Sequence, residues 1–225
     1  MASYFFYLLV SVFLPLNVHV HRAISESTKI NDDPTQGFLN IPLNSSNFII
    51  RSPYDLSVSD RYSFVDGIHK MWVLSSDKPH SPLSLTSPRT EIRIHGYDYN
   101  WGVWQFEGHA YVPGGTSGVS IMQVFGATSR PTTLMLHVYN GALMYYNSTL
   151  IDDKIYINAW FQVNVIHDVI ASVVSVYIDR KLKLNVLDHG GVFHYFKCGV
   201  YAQNYSSTSC MESKWKGIKL LKKGT

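Results

Sequence analysis

Two arginines and a glutamate alternate along the stretch PRTEIRI, which covers positions 88 to 94. Alternate side chains of an extended strand point to the same side, so Arg89, Glu91 and Arg93 share one face. Two guanidinium groups can hold the carboxylate between them and still have N–H donors left for the oxygens of a bound anion. The stretch favours an anion-binding site, although a solvent-exposed row of ion pairs has the same pattern and contributes little energy.

A second polar row lies in the stretch YFKCGVYAQ, positions 195 to 203. Strand alternation places Tyr195, Lys197, Tyr201 and Gln203 on one face and apolar side chains on the reverse. A tyrosine hydroxyl acts as a base only where neighbouring cations stabilise the phenolate, and the cations of the two stretches can do so if the strands meet. Amphipathic tyrosines with their hydroxyls in water give the same pattern, so the row alone leaves both interpretations open.

Two further side chains are candidates for the same groove. Gln123 in SIMQVFG can donate an amide N–H to a carboxylate or a hydroxyl, whereas Phe125 on the same face cannot transfer a proton. His137 lies on the polar face of TLMLHVY, a pattern that fits either a groove residue or a hydrogen-bonded structural histidine. His189 and His194 lack the ligand spacing of a zinc site, and we expect no metal and no cofactor.

These stretches belong to a series of short runs with strand periodicity. The clearest runs are VWQFEGHAYV, GVSIMQVFG, TLMLHVYNG, ALMYYN, WFQVNVIHDV, ASVVSVYIDRKL and WKGIKLL. Turn signals separate them, and no stretch has helical periodicity. The pattern predicts an all-β fold, a two-sheet antiparallel β-sandwich or jelly roll. A polar row on a middle strand of such a fold lines a groove or meets solvent. The turn-rich segment NDDPTQGFLNIPLNSSN is expected to wrap the surface before the first strand.

The composition fits one exported domain. The chain has 225 residues, of which 46% are hydrophobic and 16% are charged, and its net charge of +3 is too small and scattered to favour nucleic acid as a partner. The apolar start MASYFFYLLVSVFLPLNV predicts a secretory signal peptide over residues 1–23, with a retained membrane anchor as the alternative. After its removal, residues 24–225 are expected to form a single jelly-roll domain without membrane attachment, located in the cell wall or the vacuole.

Three sequons and two cysteines fit an exported chain. Asn44, Asn147 and Asn204 begin N-x-[ST] sequences and are glycosylation acceptors on the secretory route. In an oxidising compartment, a disulfide between Cys198 and Cys210 is expected. The alternative is a buried Cys198 and a surface thiol at Cys210.

Three of the stretches together resemble a known family. PRTEIR, QVF and YFKCGVYAQ occur in this order and are similar to the motifs R-[ST]-E-[LVI]-R, Q-[IV]-H and Y-F-K-A-G-[VI]-Y-N-Q of the jelly-roll alginate lyase family. The longer segments DRYSFVDGIHKMWVLSSDKPH, WQFEGHAYVPGGTSGVSIMQVFG and WFQVNVIHDV are similar to the plant citrate-binding branch of that family. The resemblance covers nearly all of the chain after the predicted signal peptide.

The resemblance implies roles for individual residues. In lyases of the family, an arginine and the glutamine neutralise a uronate carboxylate, a histidine or tyrosine removes the adjacent proton, and a tyrosine protonates the leaving oxygen. By position, Arg89 and Gln123 take the neutralising role, with Glu91 and Arg93 beside them. The expected ligand-binding residues are Arg89, Glu91, Arg93, Gln123, His137, Lys197 and Tyr201. Lys197 binds a substrate charge, and Tyr201 carries the proton.

The second motif departs from the family pattern, because Phe125 stands where the family has its histidine. A phenyl ring neither accepts nor donates a proton, so elimination that needs a separate base is lost. Ala202 also replaces the asparagine that follows the tyrosine of the third motif. The resemblance therefore implies a protein that binds citrate or another carboxylate through Arg89, Arg93 and Lys197, without lyase activity.

Two alternatives remain open. A polysaccharide lyase acting on a uronate polymer can use Tyr201 as both base and acid, for a sugar whose hydrogen and leaving oxygen lie on the same side. A wall protein can instead hold an acidic uronate glycan without cleaving it.

Overall fold

The structure, a computed structural model, describes most of the chain after the predicted leader, namely residues 33–128, 130–147, 149–153, 158–203 and 208–224. The predicted signal peptide over residues 1–23 and the sequon at Asn204 lie outside the described residues. Asn44 and Asn147 are exposed. No helix in the described ranges is long and apolar enough to cross a membrane.

Strands make up nearly all of the regular structure in the described ranges, and the two helices are single 3-10 turns at Ser45–Asn47 and Val58–Asp60. The strands are β1 (Phe38–Ile41), β2 (Phe48–Arg51), β3 (Tyr62–Val65), β4 (Ile68–Leu74), β5 (Arg89–Ile94), β6 (Val103–Tyr111), β7 (Val119–Phe125), β8 (Thr132–Tyr139), β9 (Ala142–Tyr145), β10 (Thr149–Asp152), β11 (Trp160–Asp168), β12 (Val173–Ile178), β13 (Lys181–Leu187), β14 (Tyr195–Ala202) and β15 (Cys210–Lys223). The predicted all-β fold is confirmed.

The strands form two antiparallel sheets. The eight-stranded sheet has the order β13-β12-β11-β6-β15-β4-β3, with β1 also paired to β15. The seven-stranded sheet has the order β10-β9-β8-β7-β14-β5-β2. The chain crosses repeatedly between the sheets, as in a jelly roll, so that β14 lies between β5 and β7 although long segments separate these strands in sequence.

Side-chain alternation puts the core between the sheets. On β14, Phe196, Cys198 and Val200 are at most 1% exposed and lie in the core. From the eight-stranded sheet, the ring of Phe106 packs 6.0 Å from that of Phe196 and 5.6 Å from that of Trp215, measured between centroids. Burial of this apolar surface stabilises the sandwich by roughly 25 cal/mol per Å². The opposite face of β14 remains for the polar row.

Two local features differ from the sequence prediction. The run ASVVSVYIDRKL is a hairpin and not one strand, because Asp179 and Arg180 have positive φ angles of 48° and 66° and form the tight turn between β12 and β13. The segment predicted to wrap the surface contains β1, which pairs with the end of β15. This pairing depends on a strand far away in sequence, which local composition does not reveal.

The predicted disulfide is wrong for this structure, in which Cys198 and Cys210 are both free. Cys198 is fully buried on the core side of β14 in the seven-stranded sheet, whereas Cys210 begins β15 in the other sheet and is exposed. Burial raises the pKa of the Cys198 thiol well above its usual value. The alternative interpretation therefore holds, and Cys198 behaves as a small apolar core residue.

Gly199 occupies a point where β14 and β5 are too close for a side chain. Its φ is +143°, and a Cβ built there lies 2.4 Å from the carbonyl oxygen of Thr90 and 2.8 Å from Cα of Glu91. The register of β14 against β7 also shifts beside this residue, as at a β-bulge. The lack of a side chain lets β14 keep its pairing with β5, on which the positions of the polar rows depend.

We expect Gly199→Ala to lower the free energy of unfolding by at least about 2 kcal/mol, since its methyl group meets backbone atoms and its φ is strained. Gly115→Ala is a matched control, because Gly115 has a φ of +87° but no heavy atom within 4 Å of a built Cβ. This control isolates the backbone strain, about 1 kcal/mol. Urea unfolding followed by tryptophan fluorescence measures both losses, and equal losses would contradict the close approach.

Candidate functional site

The three polar stretches lie side by side in the seven-stranded sheet. β14 runs between β5 and β7, and its polar face continues across both neighbours. Lys197 pairs with Arg93 of β5 and with Gln123 of β7, while Tyr201 pairs with Arg89 of β5. The structure therefore brings the predicted cations, amide and phenol onto one face of one sheet.

Glu91 is the buried centre of this arrangement, with 2% of its surface exposed. Its Oε2 accepts hydrogen bonds from Nζ of Lys197 at 3.1 Å and from Nη1 of Arg89 at 3.5 Å. Its Oε1 accepts a short hydrogen bond from Nε2 of Gln123. A buried carboxylate needs such partners, because the protein interior solvates charge poorly. Glu91 therefore positions the three donors rather than contacting a ligand as predicted.

Arg89 is held from several sides. Its Nη2 donates to Oγ1 of Thr86 at 2.7 Å, and its guanidinium carbon lies 3.7 Å from the ring centroid of Tyr201. Arg89 is only 7% exposed, and its Nε has no hydrogen-bond partner within the described part of the chain. A desolvated guanidinium with an unused donor is well suited to binding an anion.

A cavity of about 650 Å³ opens on this polar face. Its described lining contains four cationic side chains and no carboxylate; the cations are Arg51, Arg89, Arg130 and Lys197. The other lining residues are His80, Thr86, Gln123, Phe125, Pro131, Thr132, Met135, Tyr146, Tyr195, Tyr201 and Gln203. A cavity of this size accommodates a small organic acid or a short piece of glycan.

The cavity receives four of the seven residues predicted to bind a ligand. These four are Arg89, Gln123, Lys197 and Tyr201. Glu91 lies beneath the cavity, as described above, and Arg93 and His137 are not among its described lining residues.

Arg93 supports the wall of the cavity instead of lining it. It forms a short ion pair with Asp98, and its guanidinium carbon lies 4.0 Å from the ring centroid of Tyr195. The positive charge of Arg93 is thus already compensated. Asp98 already binds the guanidinium of Arg93, whose Nε has no hydrogen-bond partner among the described residues. The role of Arg93 in ligand binding stays a prediction.

His137 is on the predicted face of β8 but is buried, with 4% of its surface exposed. Its Nδ1 lies 3.3 Å from the hydroxyl of Tyr139, and its Nε2 has no partner among the described residues. Burial lowers the pKa of His137 to about 4, so the imidazole is neutral at neutral pH. His137 lies outside the described lining of the cavity, and its role in ligand binding stays a prediction.

Several lining residues were missed by the sequence prediction. Arg51 is the last residue of β2, and the sheet places β2 next to β5. Arg130 and His80 lie in connections between strands. None of these three continues a polar row, so strand alternation gave no signal for them, although His80 ends the segment DRYSFVDGIHKMWVLSSDKPH. Gln203 did have a signal, since it follows Tyr201 at strand spacing in the third stretch.

The cationic lining changes the ionisation of its members. Burial lowers the pKa of Lys197, and Arg89 lowers it further, while Glu91 opposes the change. Burial raises the pKa of Tyr195, and Arg93 partly offsets this rise. The cavity therefore combines desolvation with an excess of positive charge, a field that a bound anion relieves.

An apolar wall stands where the sequence lacks the histidine of the second motif. The ring of Phe125 stacks on that of Tyr195 with centroids 4.9 Å apart, and Nζ of Lys197 lies 5.3 Å from the centroid of Phe125. These contacts give Phe125 a packing role beside the buried ammonium. It contributes no group that can move a proton.

The fold and the cavity together define a class, a jelly-roll sandwich with a cationic cleft across one sheet. Residues 41–222 match the family model described as alginate lyase, and the chain belongs to this family. It is 54% identical over 190 residues to the citrate-binding protein of Hevea brasiliensis, an alignment that covers 84% of this chain and 79% of that protein.

Solved structures show the same fold at low sequence identity. The alginate lyase of a Corynebacterium species aligns with a TM-score of 0.60 at 12% identity, covering 84% of this chain and 97% of that one. The family 7 alginate lyase AlyA1 of Zobellia galactanivorans aligns with a TM-score of 0.57 at 13% identity, covering 73% and 81%. At such identities the likeness concerns the fold alone.

The buried ion pair of Glu91 and Lys197 yields a prediction for stability. Lys197→Met leaves the carboxylate without its ammonium partner and should lower the free energy of unfolding by about 3 kcal/mol or more. Adding Glu91→Gln should recover part of this loss, with a coupling of about 1 to 3 kcal/mol in a double-mutant cycle.

Urea unfolding at neutral pH measures the free energy of unfolding of the wild type, of the two single variants and of the double variant. The control is Arg180→Met, which breaks an ion pair with Asp33 whose side chains are 52% and 33% exposed. This surface pair should contribute less than about 1 kcal/mol. Strictly additive losses at Glu91 and Lys197 would show that the pair does not organise the site.

Proposed function

We propose that this protein is an exported carboxylate-binding protein that holds citrate in the cavity of the seven-stranded sheet. The observation that carries the proposal is the imbalance of charge around that cavity. Four cationic side chains line its described surface, and Glu91 beneath it compensates one of them, which leaves three positive charges. Fully ionised citrate carries three negative charges, so ligand and cavity are complementary.

The positions of the donors also suit a compact polycarboxylate. Arg89 offers a planar guanidinium whose Nε has no partner in the described ranges, and Lys197 offers a localised ammonium. Gln123 and Tyr201 add an amide and a hydroxyl to the lining, groups that can bond the hydroxyl of citrate. The identity with the Hevea citrate-binding protein supports the same ligand.

Binding without cleavage follows from the chemistry of the wall. Elimination from a uronate needs a group that removes a proton, and Phe125 stands where the second motif would provide one. The remaining cations and the amide neutralise a carboxylate but do not by themselves remove a proton. A site of this kind holds an acid in its ground state.

Export completes the proposal. The exposed positions of Asn44 and Asn147 leave both asparagines accessible for glycosylation, in keeping with passage through the secretory pathway to the wall or the vacuole. The free thiol of Cys198 lies in the core, where its burial protects it in an oxidising compartment.

Arg89→Ala tests the proposed binding mode. Loss of one desolvated charge partner should weaken citrate binding by about 2 kcal/mol or more, a factor of roughly 30 in Kd. Added salt should weaken wild-type binding as well, because the attraction is electrostatic. Isothermal titration calorimetry measures both effects.

The matched control is Arg180→Ala, which removes the same kind of side chain from the β12–β13 turn of the other sheet. It should bind citrate like the wild type. Circular dichroism of each variant checks that the fold is intact. Wild-type protein that gives no binding heat, or a folded Arg89→Ala variant with unchanged affinity, would reject the proposal.

A polysaccharide lyase is the second candidate, and one arrangement favours it. Tyr201 lines the cavity together with the Arg89 guanidinium and the Gln123 amide, so a proton-transferring group stands beside two carboxylate-neutralising groups. Such a site could act on a uronate polymer through Tyr201 alone.

We expect the wild type to release no unsaturated ends, seen by ultraviolet absorbance, from alginate, glucuronan or polygalacturonate. Product formed by the wild type and lost in Tyr201→Phe would establish the lyase in place of the binder. If neither product nor citrate binding is found, a glycan array tests the third possibility, a protein that holds an acidic glycan without cleaving it. Binding to acidic glycans on the array would support that possibility.

A further inference from the structure

His80 lies in the connection between β4 and β5, outside all three family motifs, and lines the cationic cavity. Its side chain is partly buried, and its Nδ1 is enclosed without a hydrogen-bond partner among the described residues. An enclosed ring nitrogen without a partner is costly to desolvate, so no hydrogen bond at Nδ1 stabilises the ring in this position. His80 is thus placed to contact whatever the cavity holds.

The charges that act on His80 come from three strands. Arg51 of β2, Arg89 of β5 and Lys197 of β14 oppose its protonation, and Glu91 of β5 favours it. The other titratable groups of the described lining are Arg130, Tyr146, Tyr195 and Tyr201. Burial lowers the pKa of His80, and the three cations lower it further. In the empty cavity the imidazole is therefore neutral at neutral pH.

A bound carboxylate reverses the field at this position. Its negative charges offset the three cations and stand close to the ring, so the protonated form of His80 becomes favourable. Protonation also turns both ring nitrogens into donors, so the imidazolium of His80 can donate to a ligand oxygen in the cavity that it lines. Binding of the anion and binding of a proton thus reinforce each other.

We propose that His80 is a further ligand-binding residue that takes up a proton when a carboxylate enters the cavity, so that the site binds its ligand more tightly in acid. The inference rests on the proposed function, since it concerns the same cavity and the same class of ligand. It adds a regulation that the family motifs do not contain.

The direction of the pH effect follows from linkage. The pKa of His80 is lower in the empty cavity than in the occupied one, so the complex holds more protons than the free protein. The contribution of His80 to the affinity must then increase as the pH falls through the pKa of the occupied state, and it becomes constant below that of the empty state. The pKa of Lys197 is also lowered, so loss of its proton at alkaline pH can change the affinity as well. A variant of His80 is therefore needed to assign the pH dependence to the histidine.

The experiment compares citrate binding by the wild type, by His80→Gln and by His109→Gln. Glutamine keeps hydrogen-bonding capacity but does not titrate, and His109 lies on β6 of the other sheet, which makes it a matched control. Calorimetry in two buffers with different ionisation enthalpies gives the protons taken up per citrate. The protonation of citrate itself is common to all three proteins and cancels in the comparison.

The wild type and His109→Gln should gain about tenfold more affinity than His80→Gln between about pH 8 and about pH 5. Near about pH 6, they should also take up about half a proton more than His80→Gln for each citrate bound. Equal pH dependence and equal proton uptake in the three proteins would overturn the role of His80 while leaving citrate binding in place. Absence of citrate binding at every pH would instead overturn the proposed function and this inference together.

Discussion

Donors from three strands converge on one buried carboxylate, that of Glu91, and the polar side of the seven-stranded sheet depends on this contact. Lys197 and Gln123 reach it from β14 and β7, and Arg89 shares it from its own strand. A charged group with 2% exposure is tolerated only when its oxygens are hydrogen-bonded, so the three donors are held in one arrangement. Their remaining N–H groups and their charge are thereby directed at the cavity above.

Groups that can neutralise a carboxylate lie together at the cavity. Arg89 and Gln123 are present with the cationic surroundings that stabilise a carboxylate, and Tyr201 stands against the guanidinium. Phe125 instead packs on Tyr195 and closes the wall with an apolar ring. Catalysis requires interactions that strengthen in the transition state, whereas binding needs only complementarity to the ground state.

The two faces of β14 carry two tasks with little overlap. Phe196, Cys198 and Val200 fill the core, and Lys197 with Tyr201 serves the cavity. Gly199 of β14 has no side chain, so β14 can approach β5 closely at this point. Both rows of side chains on β14 thereby stay in register with the neighbouring strands. Stability thus comes mainly from the apolar side, and the polar side is free to hold charges that an ordinary core would exclude.

Local sequence determined much of this architecture. Strand alternation is a property of the backbone, so the polar rows of β5, β7 and β14 could be recognised without knowing what they face. The three motifs then indicated the jelly roll and the strands that bring Arg89, Gln123, Lys197 and Tyr201 together. The tight turn at Asp179–Arg180 was not predicted, because neither residue is a glycine and only the structure shows their positive φ angles.

Only the tertiary structure decided which groups face the cavity and which serve others. Arg51 joins because β2 lies next to β5, and His80 joins because a connection folds over the same cavity. Arg93 pairs with Asp98 instead of lining the cavity. Cys198 does not meet Cys210, because the first lies in the core and the second on the surface. These outcomes follow from long-range packing, in which each group finds its partner across a distance in sequence that no local pattern encodes. The alternation of side chains is local, but the choice of charge partner is made only when the sheets assemble.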